Sequence, residues 1–244
     1  MNRGFYHAAN GMIINQRALN TASQNISNSN TSGYKSDKLV TNTFKEQLIL
    51  VQRRNALSGT FEQTYVDNTH TDLEQGSFEF TSSPFDVAIN GNVYFNIRGN
   101  NGDNYLSRNG QWELDDEGYL TLGNSGRILG EEGEIYVGTS DFAIDNQGNV
   151  IVDGQTVDTL LLTYIAPDAE VEKYGENLLI YQGDGTIPDN EEFDIIQGAY
   201  ERSNIDLNKE ILSTMEIQRH YEANSSILKN IDSLNASSAS LSKI

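Results

Sequence analysis

The sequence predicts an α+β protein: long N- and C-terminal helices paired as a coiled-coil-like inner domain, with a central antiparallel β-rich domain between them. Three observations carry this. Apolar residues recur every seven positions near both ends, as on one helical face. Between the ends the period shifts to alternation, broken by frequent turn signals. The charge divides the same way: residues 1–60 hold 7 Lys/Arg and 2 Asp/Glu, residues 61–200 hold 4 and 27, and residues 201–244 hold 5 and 6.

The N-terminal element spans residues 1–35. Phe5, Met12, Leu19 and Ile26 are seven apart, with Ala8 and Ala22 at intermediate positions and Asn15 interrupting. So narrow a stripe suits a coiled-coil seam, and it equally suits an amphipathic helix packed on its own domain. After the helix comes "SQNISNSNTSGYK", Ser23–Lys35, rich in small polar residues that cap helix carbonyls and form turns. Gly33 is free to take a positive φ there.

Residues 36–75 read as a connector. Phe44, Leu48 and Val51 suggest a short helix, followed by an extended, polar, Thr-rich run. Residues 76–200 form the β-rich domain. Its expected strands are Phe78–Thr81, Asp86–Ile89, Val93–Ile97, Gln111–Leu114, Tyr119–Leu122, Glu134–Val137, Phe142–Ile144, Val150–Val152, Leu160–Ile165, Leu178–Tyr181 and Phe193–Ala199. Asn90-Gly91, Asn109-Gly110, Glu117-Gly118, Gln147-Gly148, Asp153-Gly154 and Asp184-Gly185 mark turns between several of them.

Residues 201–244 form the closing helix. Ser203 and Asp206 fit a capping box, as N-cap and N3. From Leu207 onward there is no Pro or Gly, and Ile217, Tyr221, Leu228 and Ile231 form a seam with Asn224 in the missing heptad position. Ile227 and Leu234 widen the stripe. Two apolar seams on one chain are hard to keep dissolved, so both are expected to order fully only on association.

The composition excludes several kinds of chemistry. With no Cys there are no disulfides or thiolate sites. No domain is strongly basic, which argues against nucleic acid. No run approaches the roughly 18 apolar residues of a membrane span, and no cleavable signal peptide is visible. Phosphate-loop, dinucleotide and nucleophile-elbow motifs are missing. His7, His70 and His220 lie in three regions without metal-ligand spacing, so neither metal nor cofactor is expected. "DNQGNVIVDG", Asp145–Gly154, has its Gly at the wrong place for a calcium loop and reads as a hairpin turn. Trp112 alternates with Leu114 and reads as core. The chain is not expected to be an enzyme.

Four ordered blocks then resemble one family. "SNSNTSGYK" resembles the A-N-x-N-T-P-G-[YF]-K signature of bacterial flagellar basal-body rod and hook-basal body proteins, with Asn28, Asn30, Thr31, Gly33, Tyr34 and Lys35 in place. Ser27 and Ser32 stand where Ala and Pro are usual. "SSPFDVAINGNVYF" is similar to the T-G-[NS]-P-[LF]-D-[VL]-A-I-x-G-x-G-[FY]-F block, and "YLSRNGQWELDDEGYL" to Y-T-R-x-G-x-[FL]-x-x-[DN]-x-x-G-x-L. The closing signature matches at Ser203, Asn204, Glu210, Gln218, Arg219, Tyr221, Glu222, Ala223 and Asn224.

The resemblance implies a structural subunit whose terminal helices pair to line an axial export channel, with the β domain outside. It implies partners: further copies of itself, other rod and hook subunits, the flagellar type III export apparatus and rings around the rod. The location it implies is the basal body in the cell envelope, reached without a cleaved signal. It also implies that Tyr34 and Lys35 face a neighbouring wall. The short length and "RILGEEGEIYV" resemble the proximal rod member more than the distal one. The alternatives are a distal rod or hook subunit, or, from another class, an acidic secreted β-rich binding or carbohydrate-active domain.

Overall fold

The computed structural model describes residues 3–43, 64–167, 169–175, 177–188 and 192–241. Its internal contacts divide the chain into two units. One comprises Met1–Ser27, Asp37–His70 and Asp206–Ile244; the other comprises Asn28–Ser36 and Thr71–Ile205.

The first unit holds the two long helices, Arg3–Ser27 and Leu207–Leu241. The second of these is about 50 Å long at 1.5 Å per residue. They pack side by side. Gly11 faces Asn224, and Asn25 bonds Glu210, so contacts fourteen residues apart on one helix are fourteen apart on the other in the reverse direction. The pair is therefore antiparallel and in step.

The closing helix begins three residues later than the capping-box reading placed it. Asp206, not Ser203, is the cap: its carboxylate accepts the N–H groups of Asn208 and Lys209 at 3.0 and 3.2 Å. Ser203 and Asn204 instead belong to the β unit. The Thr-rich connector is not merely extended. Asp37–Thr43 and Thr64–Thr71 pair as a two-stranded sheet. The helix expected around Phe44–Val51 lies outside the described residues.

The second unit is antiparallel throughout its paired strands. Its largest sheet is centred on Val93–Gly99, which pairs with Asn104–Ser107, Gly126–Ile128 and Leu162–Tyr164. Beyond these lie Leu178–Ile180 and Glu172–Tyr174 on one side, and Leu120–Thr121 and Glu113–Leu114 on the other. The central strand is covered on both faces. Val93, Phe95 and Ile97 point into the main core with Val87, Ile89, Trp112, Leu120, Ile128, Val150 and Ile195. Tyr94 points the other way, into a smaller cluster with Leu73, Leu106, Ile165 and Leu179. Trp112 is core, edge-on to Phe95 at 4.8 Å between centroids.

"DNQGNVIVDG" is the expected hairpin: Phe142–Ile144 pairs with Asn149–Val152 across it. The Asp145 side chain accepts the Asn149 side-chain and backbone N–H groups and the Gln147 N–H, which hold its carboxyl below the usual range. Elsewhere the expected strands shorten or divide. Glu134–Val137 forms only isolated bridges, Glu134 to Leu129 and Tyr136 to Tyr119. Phe193–Ala199 divides at Gly198, where φ is +80°, into Asp194–Gln197 and Ala199–Glu201. No helix among the described residues is long and apolar enough to cross a membrane.

Candidate functional site

The signature buries Ser32, Tyr34 and Lys35 and leaves Asn30 exposed. Residues 28–36 lie as a strap within the β unit. After the helix, the Thr31 N–H bonds the Asn28 carbonyl at 3.1 Å and closes a turn that leaves Asn30 exposed. The Ser32 hydroxyl sits 2.6 Å from the Asn109 side-chain oxygen and 2.8 Å from that of Gln111. Asn177 donates to the Ser32 carbonyl at 2.9 Å. Gly33 takes φ +66°, and its N–H donates to the Glu201 carbonyl at 2.7 Å.

Tyr34 and Lys35 correct the sequence reading most sharply. Both are buried, at 5% and 3% exposure, rather than offered to a neighbouring wall. Tyr34 lies under the Lys173 ammonium, 4.1 Å from the ring centroid, and Lys173 also donates to the Lys35 carbonyl at 2.5 Å. Lys35 donates to the Glu201 carboxylate at 2.7 Å and to the Glu74 carbonyl at 2.8 Å. Burial pulls the Lys35 pKa below its ordinary value, against the opposing pull of Glu201. Arg108 is the second cation of this cluster, 2.8 Å from the other Glu201 oxygen. It also bonds the Ile89 and Gly91 carbonyls and lies over the Tyr94 ring, 4.6 Å from the centroid.

The closing signature supplies the rest of this clasp. Asn204 donates to the Asp72 and Glu74 carbonyls at 3.0 and 3.1 Å, and its oxygen accepts the Ser36 N–H at 2.8 Å. Ser203 is buried, and its hydroxyl accepts the Ile205 N–H at 3.4 Å.

Within the helical unit, the predicted seam is only partly buried. Met12, Leu19, Ile26, Ile217, Asn224, Leu228 and Ile231 are half-buried and Ala8 and Ala22 are buried, but Phe5 and Tyr221 are exposed. Small and polar residues meet across the pair. A Cβ on Gly11 would lie 2.7 Å from the Asn224 amide nitrogen. Asn25, 3% exposed, donates to Glu210 at 3.1 Å and exchanges two bonds with the Asp37 backbone, 2.9 Å to its carbonyl and 3.0 Å from its N–H. Gln218 and Arg219 are exposed.

Ile227 and Leu234 do not widen the seam as the sequence suggests, and further large apolar residues lie outside it. Leu207, Ile211 and Met215 step by four along one flank of the closing helix, at 42–47% exposure. At 100° per residue, Leu212, Ile227 and Leu234 fall on the opposite flank, the first and last at 67% and 66% exposure. Tyr6 and Ile13, seven apart, are exposed on the N-terminal helix. The period of four from Leu207 is the sequence signal for the first of these flanks.

Comparison with known proteins places these features in a family. Residues 5–35 match the family model "Flagella basal body rod protein", residues 88–152 "Flagellar hook protein FlgE/F/G D1 domain" and residues 196–241 "Flagellar basal body rod FlgEFG protein C-terminal". The chain is 28% identical to the flagellar basal-body rod protein FlgG of Buchnera aphidicola, over 92% of this chain and 94% of that one. It is 27% identical to the flagellar basal-body rod protein FlgF of Caulobacter vibrioides, over 97% and 96%. It is also 24% identical to the flagellar hook-basal body complex protein FlhO of Bacillus subtilis, over 95% of each. With the opening helix and strap, the β domain and the closing helix matched in that order, and rod proteins aligned along nine-tenths of its length, the chain belongs to the flagellar basal-body rod and hook protein family.

Proposed function

We propose that this chain is a structural, non-enzymatic subunit of the bacterial flagellar basal-body rod, polymerising through its terminal helices into the axial shaft needed for motility. The observation that carries the reading is the helix pair. Gly11 and Asn224, and Asn25 and Glu210, meet across the pair, and large apolar side chains are left exposed on two flanks of the closing helix. Apolar side chains on two opposite flanks suit a subunit with a neighbour on each side, which gives an open assembly rather than a closed pair. The paired helices act as the coiled-coil-like inner domain around an export channel, and the acidic β unit is the outer domain. Its neighbours are further copies of itself and other rod and hook subunits; the export apparatus delivers it, and rings surround it in the cell envelope.

The test is deletion and complementation in the source bacterium, with mass-spectrometric counting of the chain in purified hook–basal bodies. The expected result is loss of motility on deletion and a defined number of copies per particle. A few copies mean a proximal rod tier, several times more the distal rod, and far more again the hook. Absence from the particle overturns the reading.

A further inference from the structure

Three stretches of chain meet at one buried carboxylate. Glu201, 1% exposed, is the last residue of the strand Ala199–Glu201, which pairs with Phe78–Phe80. One of its oxygens accepts from Lys35 at 2.7 Å and from the Gly76 N–H at 2.8 Å. The other accepts from Arg108 at 2.8 Å, and its backbone carbonyl accepts from Gly33 at 2.7 Å. The strap contributes no residue to either apolar cluster of the β unit. It is fixed by polar contacts, and those from the Lys35 ammonium and the Gly33 N–H both reach Glu201.

We propose that Glu201 is the positioning residue of the signature: the strap Asn28–Ser36 docks on the β unit only once the final strand, Ala199–Glu201, is in place. Without that carboxylate, Lys35 would enter the interior as an unpaired cation beside Arg108, and such burial is strongly disfavoured. Arg108 also donates to the Ile89 and Gly91 carbonyls, which gives it partners in the β unit besides Glu201. The strap precedes its anchor by 166 residues in the chain, so its order reports that the β unit is complete. If the chain builds an axial polymer, as proposed above, a subunit with an incomplete β unit carries an undocked signature and is not added.

The test is amide hydrogen exchange read by mass spectrometry on the dilute full-length chain, which does not depend on assembly. In Glu201→Gln, peptides covering residues 28–36 and 71–77 lose protection at least about tenfold, the order expected for unpaired buried groups, while Val93–Ile97 keeps its protection. Glu201→Asp, which retains the charge on a shorter stem, is intermediate. Unchanged strap protection, or an equal loss across Val93–Ile97, overturns the proposal. Should Glu201→Gln not fold, Lys35→Met reads the same strap with the Arg108–Glu201 pair intact. Strap-confined loss there supports the proposal, and no loss overturns it. Strap-confined loss in the variants, alongside a wild-type chain that forms no polymer, supports the docking of the strap and counts against the proposed function.

Discussion

Gly33 sits at φ +66°, and a Cβ there would lie 2.4 Å from the backbone carbon of Arg108 and the backbone nitrogen of Asn109. Neither obstacle is a side chain that can swing away. Gly33→Val is therefore expected to undock the strap, costing more than the about 1–2 kcal/mol of the backbone conformation alone. Limited proteolysis checks this: cleavage appears within residues 28–36 while the remainder of the β unit resists. Tyr94 gives a second expectation. Burial pushes its phenol up to about 12, although the neighbouring Arg108 cation pulls the other way. Between pH 10 and 12 the unfolded chain has lost that proton and the folded chain keeps it, so stability falls as pH rises, by an amount on the order of 2–3 kcal/mol. Urea midpoints measured across this range check the slope, and Tyr94→Phe flattens it. The two cases differ in legibility. A Gly amid Asn, Ser and Thr announces a turn, and Gly33 is one. Lys35 announces a surface, because ammonium groups are rarely buried. Only its partner, 166 residues away, makes the interior tolerable, and no local pattern records that pairing.

At the scale of elements, the two helices were legible because a heptad stripe fixes a face, and Met12, Leu19, Ile217, Leu228 and Ile231 are half-buried. What held them together was not legible from that stripe, since Gly11 lies against Asn224 and, among the described residues of the pair, Asn25 is the only deeply buried polar side chain. Gly11 normally weakens a helix by roughly 1 kcal/mol relative to Ala, so its place in mid-helix asks for a packing reason, and the 2.7 Å approach supplies one. Gly11→Leu is expected to separate the helices locally, lowering ellipticity at 222 nm in the dilute chain while near-ultraviolet signals from Trp112 in the β unit stay unchanged. The short strands failed in the other direction. Asp37–Thr43 and Thr64–Thr71 are polar, and Gly126–Ile128 and Glu172–Tyr174 have three residues each. Segments so short or so polar carry no period for a sequence to display, and they are strands because a partner's backbone is present. The missed cap follows the same logic. Ser203 would cap a helix if left alone, but Asn204 is held by the Asp72 and Glu74 carbonyls, so the chain stays extended until Asp206.

For the whole molecule, the question is whether the two exposed flanks of the closing helix serve different neighbours. Ile211 stands for one and Leu234 for the other, at 44% and 66% exposure. A Glu at either position costs little in the free chain, where it stays in water, and several kcal/mol in an apolar contact, where it must be desolvated. Ile211→Glu and Leu234→Glu are each expected to abolish polymer growth without altering the β unit, as read by light scattering and Trp112 fluorescence. Their mixture decides the geometry. If the flanks meet each other head to tail, each variant retains the flank the other has lost, and the mixture forms a closed one-to-one pair that neither forms alone. If each flank meets its own copy, the mixture gives no mixed pair, and homodimers appear in the single variants. Sedimentation velocity separates these outcomes by mass, and only the first is compatible with a chain that extends a shaft by adding subunits at one end.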